Sequence, residues 1–216
     1  MRASLKVVAA CCLCLVATPH AAFAEWHFTP FIGLTFKGNT TILDPELAAG
    51  DKHAALGGTV ALLGSGIVGA EGVFEIIPGF FQGKPGRNDS AGLPIQNDVL
   101  ESSRVTALMG NIVLTVPRKY TEYFLRPFVS VGFGLLRAAQ TPAAPANVEL
   151  PQPEANLAGF NIGGGAVGFF SQNTGVRFDL RYFSTLHDTE HEPPITLADP
   201  VHLRYMTFSV GLVIRR

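Results

Sequence analysis

Cysteine is missing from most of this chain. All three, Cys11, Cys12 and Cys14, lie near the start, so a mature chain beginning after them has no thiol for a disulfide, a nucleophile or a sulfur-ligated metal. Charge is also sparse. Asp, Glu, Lys and Arg make up 15% of the residues, against about 25% in ordinary soluble domains. The formal net charge is -1, which gives no basic footprint for nucleic acid. After residue 24 no apolar run approaches the ~18 residues of a membrane-spanning helix. Sustained helical periodicity is absent as well, which leaves strands.

The start has its own logic. Met1-Arg2 and Lys6 are followed by an apolar run from Val7 to Val16 and by Ala22-Phe23-Ala24 before Glu25. A basic start, a short apolar middle and a small-x-small site describe a secretory signal peptide, here residues 1-24. Cleavage is expected before Glu25, leaving one domain over residues 25-216. A lipoprotein-type cut at Val8-Ala9-Ala10-Cys11 would leave almost no apolar segment.

Eight stretches rich in β-formers are expected as strands: 26-37, 55-64, 67-81, 103-116, 123-138, 157-170, 175-187 and 202-214. Each reaches the ~9 to 11 residues of a tilted membrane strand. Their connections alternate in length. The long ones are 38-54, 82-102, 139-156 and 188-201; the short ones are Ser65-Gly66, 117-122 and 171-174. Short periplasmic turns and long external loops belong to barrels of the outer membrane, which puts the N-terminus on the periplasmic side. Trp26, Phe28, Tyr120 and Tyr123 are placed as an aromatic girdle at that end.

Period-two patterning assigns the two faces. In the seventh strand Val176, Phe178, Leu180 and Tyr182 alternate with Arg177, Asp179, Arg181 and Phe183. The fifth sets Leu125, Pro127, Val129, Val131, Phe133 and Leu135 against Arg126, Phe128, Ser130, Gly132 and Gly134. The small and charged face fits a narrow lumen. The expected architecture is therefore all-β, a closed eight-stranded antiparallel up-and-down transmembrane β-barrel. A soluble periplasmic barrel with its greasy face inward is the alternative.

The segments Gly159-Phe160-Asn161-Ile162-Gly163-Gly164-Gly165, Asn173 to Phe183 and Arg126 to Gly134 resemble the outer-membrane β-barrel family related to the OmpA transmembrane domain and OmpX. That resemblance covers the mature chain in strand count and loop order. It implies architecture and no particular activity. Family members usually end on an aromatic residue read by the insertion machinery, whereas this chain ends Val213-Ile214-Arg215-Arg216.

With the charged faces inward, Glu71, Glu75, Arg126, Arg177, Asp179 and Arg181 share the lumen. Buried charge survives only when paired, so an ion-pair network plugging the barrel is expected, with a gated ion path as the alternative. The stretch Leu186-His187-Asp188-Thr189-Glu190-His191-Glu192 has ligand types for a divalent metal, but on a loop its ordering entropy favours a solvated acidic segment. Ser184, His187 and Glu190 or Asp188 contain the residue types of a rim lipid hydrolase, but residues three apart on a strand face opposite ways. Gly163-Gly164-Gly165 has no following helix to make it a phosphate cradle. No cofactor is expected. The expected partners are outer-membrane lipid, lipopolysaccharide, the barrel-assembly machinery and a possible external ligand at the long loops, for a monomer with a structural or surface-interaction role and no enzymatic activity. A small-solute channel and a lipid-modifying hydrolase are the competing functions.

Overall fold

The computed structural model describes residues 24-40, 52-81, 100-117, 120-121, 125-142, 154-186 and 202-216. Its strands are β1 (Glu25–Thr40), β2 (His53–Leu63), β3 (Val68–Pro78), β4 (Leu100–Thr115), β5 (Arg126–Pro142), β6 (Glu154–Phe169), β7 (Thr174–Thr185) and β8 (Leu203–Arg215). They form a closed antiparallel barrel in sequence order, with β8 pairing back onto β1. Both ends of the barrel sequence and the short connections share one end. Of the expected signal peptide, everything before Ala24 lies outside the described residues.

Several strands run beyond the expected limits into polar sequence. β1 continues to Thr40, opposite Leu203, and Ala139 on β5 still pairs with Glu154 on β6. Ladder hydrogen bonds satisfy these backbone groups whether or not the side chains are apolar, so hydropathy under-read the strands at the long-connection end. What remains of the four expected long loops lies largely outside the described residues. At the short-turn end β5 starts at Arg126, and residues 123-124 of the expected strand lie outside the described residues.

β3 is corrected in the other direction. It was expected to reach Phe81 but stops at Pro78. Gly79 has φ 70°, a left-handed conformation open to glycine at little cost. Its N–H donates to the Ser103 carbonyl at 2.7 Å, and the Phe81 N–H donates to Ser103 Oγ at 3.1 Å. The turn sends Phe80 and Phe81 into the barrel mouth, where both are buried.

The faces alternate as the sequence pattern requires. Phe178 and Leu180 are exposed while Arg177, Asp179 and Arg181 are buried. Close approach explains two inward glycines: a Cβ at Gly132 would strike the Gly110 carbonyl, and one at Gly165 the Phe178 carbonyl.

The lumen is layered. At the long-connection end one apolar cluster includes Ile77, Phe80, Val105, Leu136, Phe183 and Tyr205. Phe183 stacks on Tyr205 at 4.8 Å, and Phe80 meets Tyr205 edge-on at 5.5 Å. Near the short turns a second cluster gathers Ala61, Leu63, Val113, Phe128, Val167 and Val213. Charge thus does not fill the interior, as the sequence suggested. It forms a belt between two greasy layers, because inward positions near both mouths carry aromatic and aliphatic side chains.

Candidate functional site

Four of the six expected lumen charges converge. Arg177 Nη1 lies 2.5 Å from Glu71 Oε2, and its Nη2 lies 2.6 Å from Asp179 Oδ2. Arg181 Nη2 lies 2.9 Å from Glu71 Oε1 and 2.8 Å from Asp179 Oδ2. β3 and β7 are opposite walls of an eight-strand ring, so these contacts span the lumen. Two carboxylates balance two guanidinium groups, and all four residues are at least 95% buried. In such a dry site an unbalanced charge would cost several kcal/mol.

Two residues that charge patterning missed complete a ring. Asn111 Nδ2 donates to Glu71 Oε1 at 3.1 Å, Asn161 Nδ2 donates to Asn111 Oδ1 at 2.7 Å, and Arg181 Nη1 donates to Asn161 Oδ1 at 3.0 Å. The circuit joins β3, β4, β6 and β7. Asparagine is depleted in strands, so an inward Asn in the middle of each of two strands was the available signal. Below the ring, the Arg177 guanidinium lies 4.1 Å over the Phe128 ring, which couples the belt to the lower apolar layer.

The other two expected members are held elsewhere, which corrects the picture of one six-residue network. Glu75 accepts from Thr207 Oγ1 at 3.0 Å, nearer the aromatic mouth. Arg126 stands at the short-turn end, where Nε donates to the Val116 carbonyl at 2.8 Å and Nη2 to those of Gly64 and Gly66 at 3.1 Å. It ties two short connections together. Beside it Glu25 Oε2 lies 3.7 Å from His27 Nε2 and 3.5 Å from Arg215 Nη1.

The outer wall is the reverse of the belt. Trp26, Ile32, Leu56, Leu108, Ile112, Val131, Phe133, Phe178 and Phe208 are all exposed. Along β5 and Leu125 just before it, the outward positions from Leu125 to Leu135 are apolar without interruption, and Arg137 follows. That stretch is ten residue steps, about 34 Å along a strand, or roughly 26 Å of height at a tilt of about 40°. Trp26 stacks on Phe28 and Tyr120 is exposed, both at the short-turn end; Tyr123 lies outside the described residues.

For chemistry the described residues offer little. No three His, Cys, Asp or Glu among them converge to hold a metal. Ser184 Oγ donates to the Thr185 carbonyl at 3.3 Å. His187, Asp188 and Glu190 lie outside the described residues, as does the rest of the 187-192 segment.

No protein-family model and no curated protein matches this sequence. Solved structures do. The outer membrane protein OprG of Pseudomonas aeruginosa is 10% identical, with 89% of this chain and 96% of that one covered at a TM-score of 0.53. Neisserial surface protein A is 9% identical, with 88% and 96% covered at a TM-score of 0.51. At such identity the likeness is one of architecture, and it agrees with the strand count, closure and order found above. This chain has the fold of the small eight-stranded outer-membrane barrels.

Proposed function

We propose that the chain is an integral protein of a Gram-negative outer membrane, anchored by a barrel with a closed lumen, whose role is structural or surface-directed and lies in its long connections. The observation that carries this reading is the inversion of polarity across the wall. An uncharged apolar band roughly 26 Å high matches the ~25 Å lipid-facing band of such barrels, while the charges near mid-height are turned inward. A soluble barrel would put those faces the other way round.

Closure of the lumen is supported by stacking three layers. Ions would have to pass the Phe80, Phe183 and Tyr205 cluster, break the Glu71 and Asp179 pairs, and pass the layer around Phe128. Within this reading the chain is secreted through its signal peptide and lipopolysaccharide surrounds its outer half. The neighbour from Neisseria is described as a surface protein, consistent with a role at the cell exterior.

Reconstitution tests both parts. Purified protein is expected to need detergent or lipid to stay in solution and to give no steady single-channel current in planar bilayers. Detergent-free solubility would overturn the membrane reading; large steady currents would overturn the closed lumen and favour a channel.

A further inference from the structure

On the outer wall at the long-connection end, β4 and β5 bring two arginines together. Arg104 is paired with Ala139, and Arg137 stands two residues before Ala139 on the same strand. The arginines are therefore diagonal neighbours, about 7 to 8 Å apart at Cα. Both side chains point outward and are exposed. Like charges placed this way repel. Arg137 Nη2 is engaged at 2.6 Å by Glu154 Oε2 from the adjoining strand, which leaves its other donors. Arg104 has no ion-pair partner among the described residues.

Position decides what the pair meets. Leu108 on β4 and Leu135 on β5 are the next apolar outward positions toward the short-turn end, so the arginines stand at the upper edge of the greasy band. A charge facing lipid at mid-height costs about 2 to 4 kcal/mol but little at the interface. That edge is where lipid headgroups lie. Lys52 and Arg204 are also exposed at this end, and Glu154 is an outward carboxylate there.

We infer that Arg104 and Arg137, with Glu154 at their border, form a phosphate-binding patch on the barrel wall that takes the phosphate of an outer-leaflet lipid. A phosphate accepts bidentate hydrogen bonds from the planar guanidinium fork and carries the charge that relieves the arginine pair. The carboxylate of Glu154 competes with it for Arg137 and sets the affinity. This inference rests on the membrane reading above and deepens it by naming the lipid contact.

The test uses the full mature barrel in phosphatidylcholine nanodiscs, titrated with lipid A or with the same lipid stripped of its phosphates, and native mass spectrometry counts the lipid retained. Phosphorylated lipid A is expected to be preferred by roughly tenfold, as charge-assisted bonds allow. The double variant Arg104→Gln/Arg137→Gln should lose that preference, and Glu154→Gln should strengthen it. Strengthening is an effect that mere damage to the fold would not produce. Equal retention of both lipids, or a preference that survives in the double variant, overturns the patch. Displacement of lipid A by inorganic phosphate at equal concentration overturns its assignment to a lipid. Heat-modifiable gel mobility after insertion into plain phosphatidylcholine separates the two claims: a chain that fails to insert refutes the membrane reading, whereas one that inserts without discriminating refutes only the patch.

Discussion

Glu71, on one wall of the barrel, holds Arg181 at 2.9 Å through Oε1 and Arg177 at 2.5 Å through Oε2, both from the opposite wall. One carboxylate thus serves two arginines. Removing it leaves Asp179 as the carboxylate that still bridges both. Glu71→Ala is expected to destabilise the folded barrel by about 3 to 5 kcal/mol, the usual cost of stranding buried charge. Replacing Glu71, Asp179, Arg177 and Arg181 together by apolar residues of similar volume should cost less than that single change. Urea unfolding in lipid vesicles gives both values; a quadruple variant less stable than Glu71→Ala would contradict the account.

Inward and outward glycines should answer oppositely to a methyl group. At Gly165 the new Cβ meets the Phe178 carbonyl, whereas at Gly110 its nearest neighbour is the Phe133 carbonyl at 4.0 Å. Gly165→Ala should block closure or lower the yield of heat-modifiable barrel. Gly110→Ala should fold normally and gain about 0.4 to 1 kcal/mol from the reduced freedom of the unfolded chain.

Charge placed on the wall should report depth. Val131 is outward in the middle of the band and Thr141 is outward above its upper edge, beyond Arg137. Val131→Lys is expected to cost about 2 to 4 kcal/mol in a bilayer, and Thr141→Lys about 0 to 1. Equal and small costs for both would mean that the wall faces water.

The turn at Gly79 should control the aromatic mouth. A side chain there must adopt φ near 70°, at a cost of about 1 to 2 kcal/mol. Gly79→Val is therefore expected to loosen Phe80 from Tyr205 and weaken the near-ultraviolet circular dichroism of the folded protein. Single-channel recordings of the same variant should stay silent, because the charged belt below is intact.

Much of this architecture is legible in the sequence wherever two faces differ in kind. Arg177, Asp179 and Arg181 alternate with Phe178 and Leu180, and only one of those sets tolerates lipid. The reading weakens where both faces look alike. Residues 38-40 on β1 and 139-142 on β5 are polar or small on either side, so nothing in their hydropathy separates strand from loop. Phe80 and Phe81 continue the apolar run of β3 without a break, and only the Pro78-Gly79 step marks the turn. The two greasy layers of the lumen were hard to foresee for a related reason. Leu136, Val105 and Val113 have the composition of lipid-facing residues, and their parity along the strand, not their chemistry, puts them inside. Asn111 and Asn161 carry no formal charge, so charge patterning alone does not mark the residues that close the ring.

Trp26 and Arg216 exchange backbone hydrogen bonds, N to O in each direction at 2.9 Å, and thereby fasten the first strand to the last. Every other strand pair joins neighbours in sequence; this one joins segments separated by nearly the whole barrel. Its contact order is close to the maximum the chain allows, and loop-closure entropy makes such pairings late and slow. Until β8 arrives, β1 presents an open edge, and open edges recruit other strands. The seam therefore sets a schedule: the barrel cannot be completed piece by piece during synthesis, and the chain must be kept from pairing elsewhere until its final strand is available.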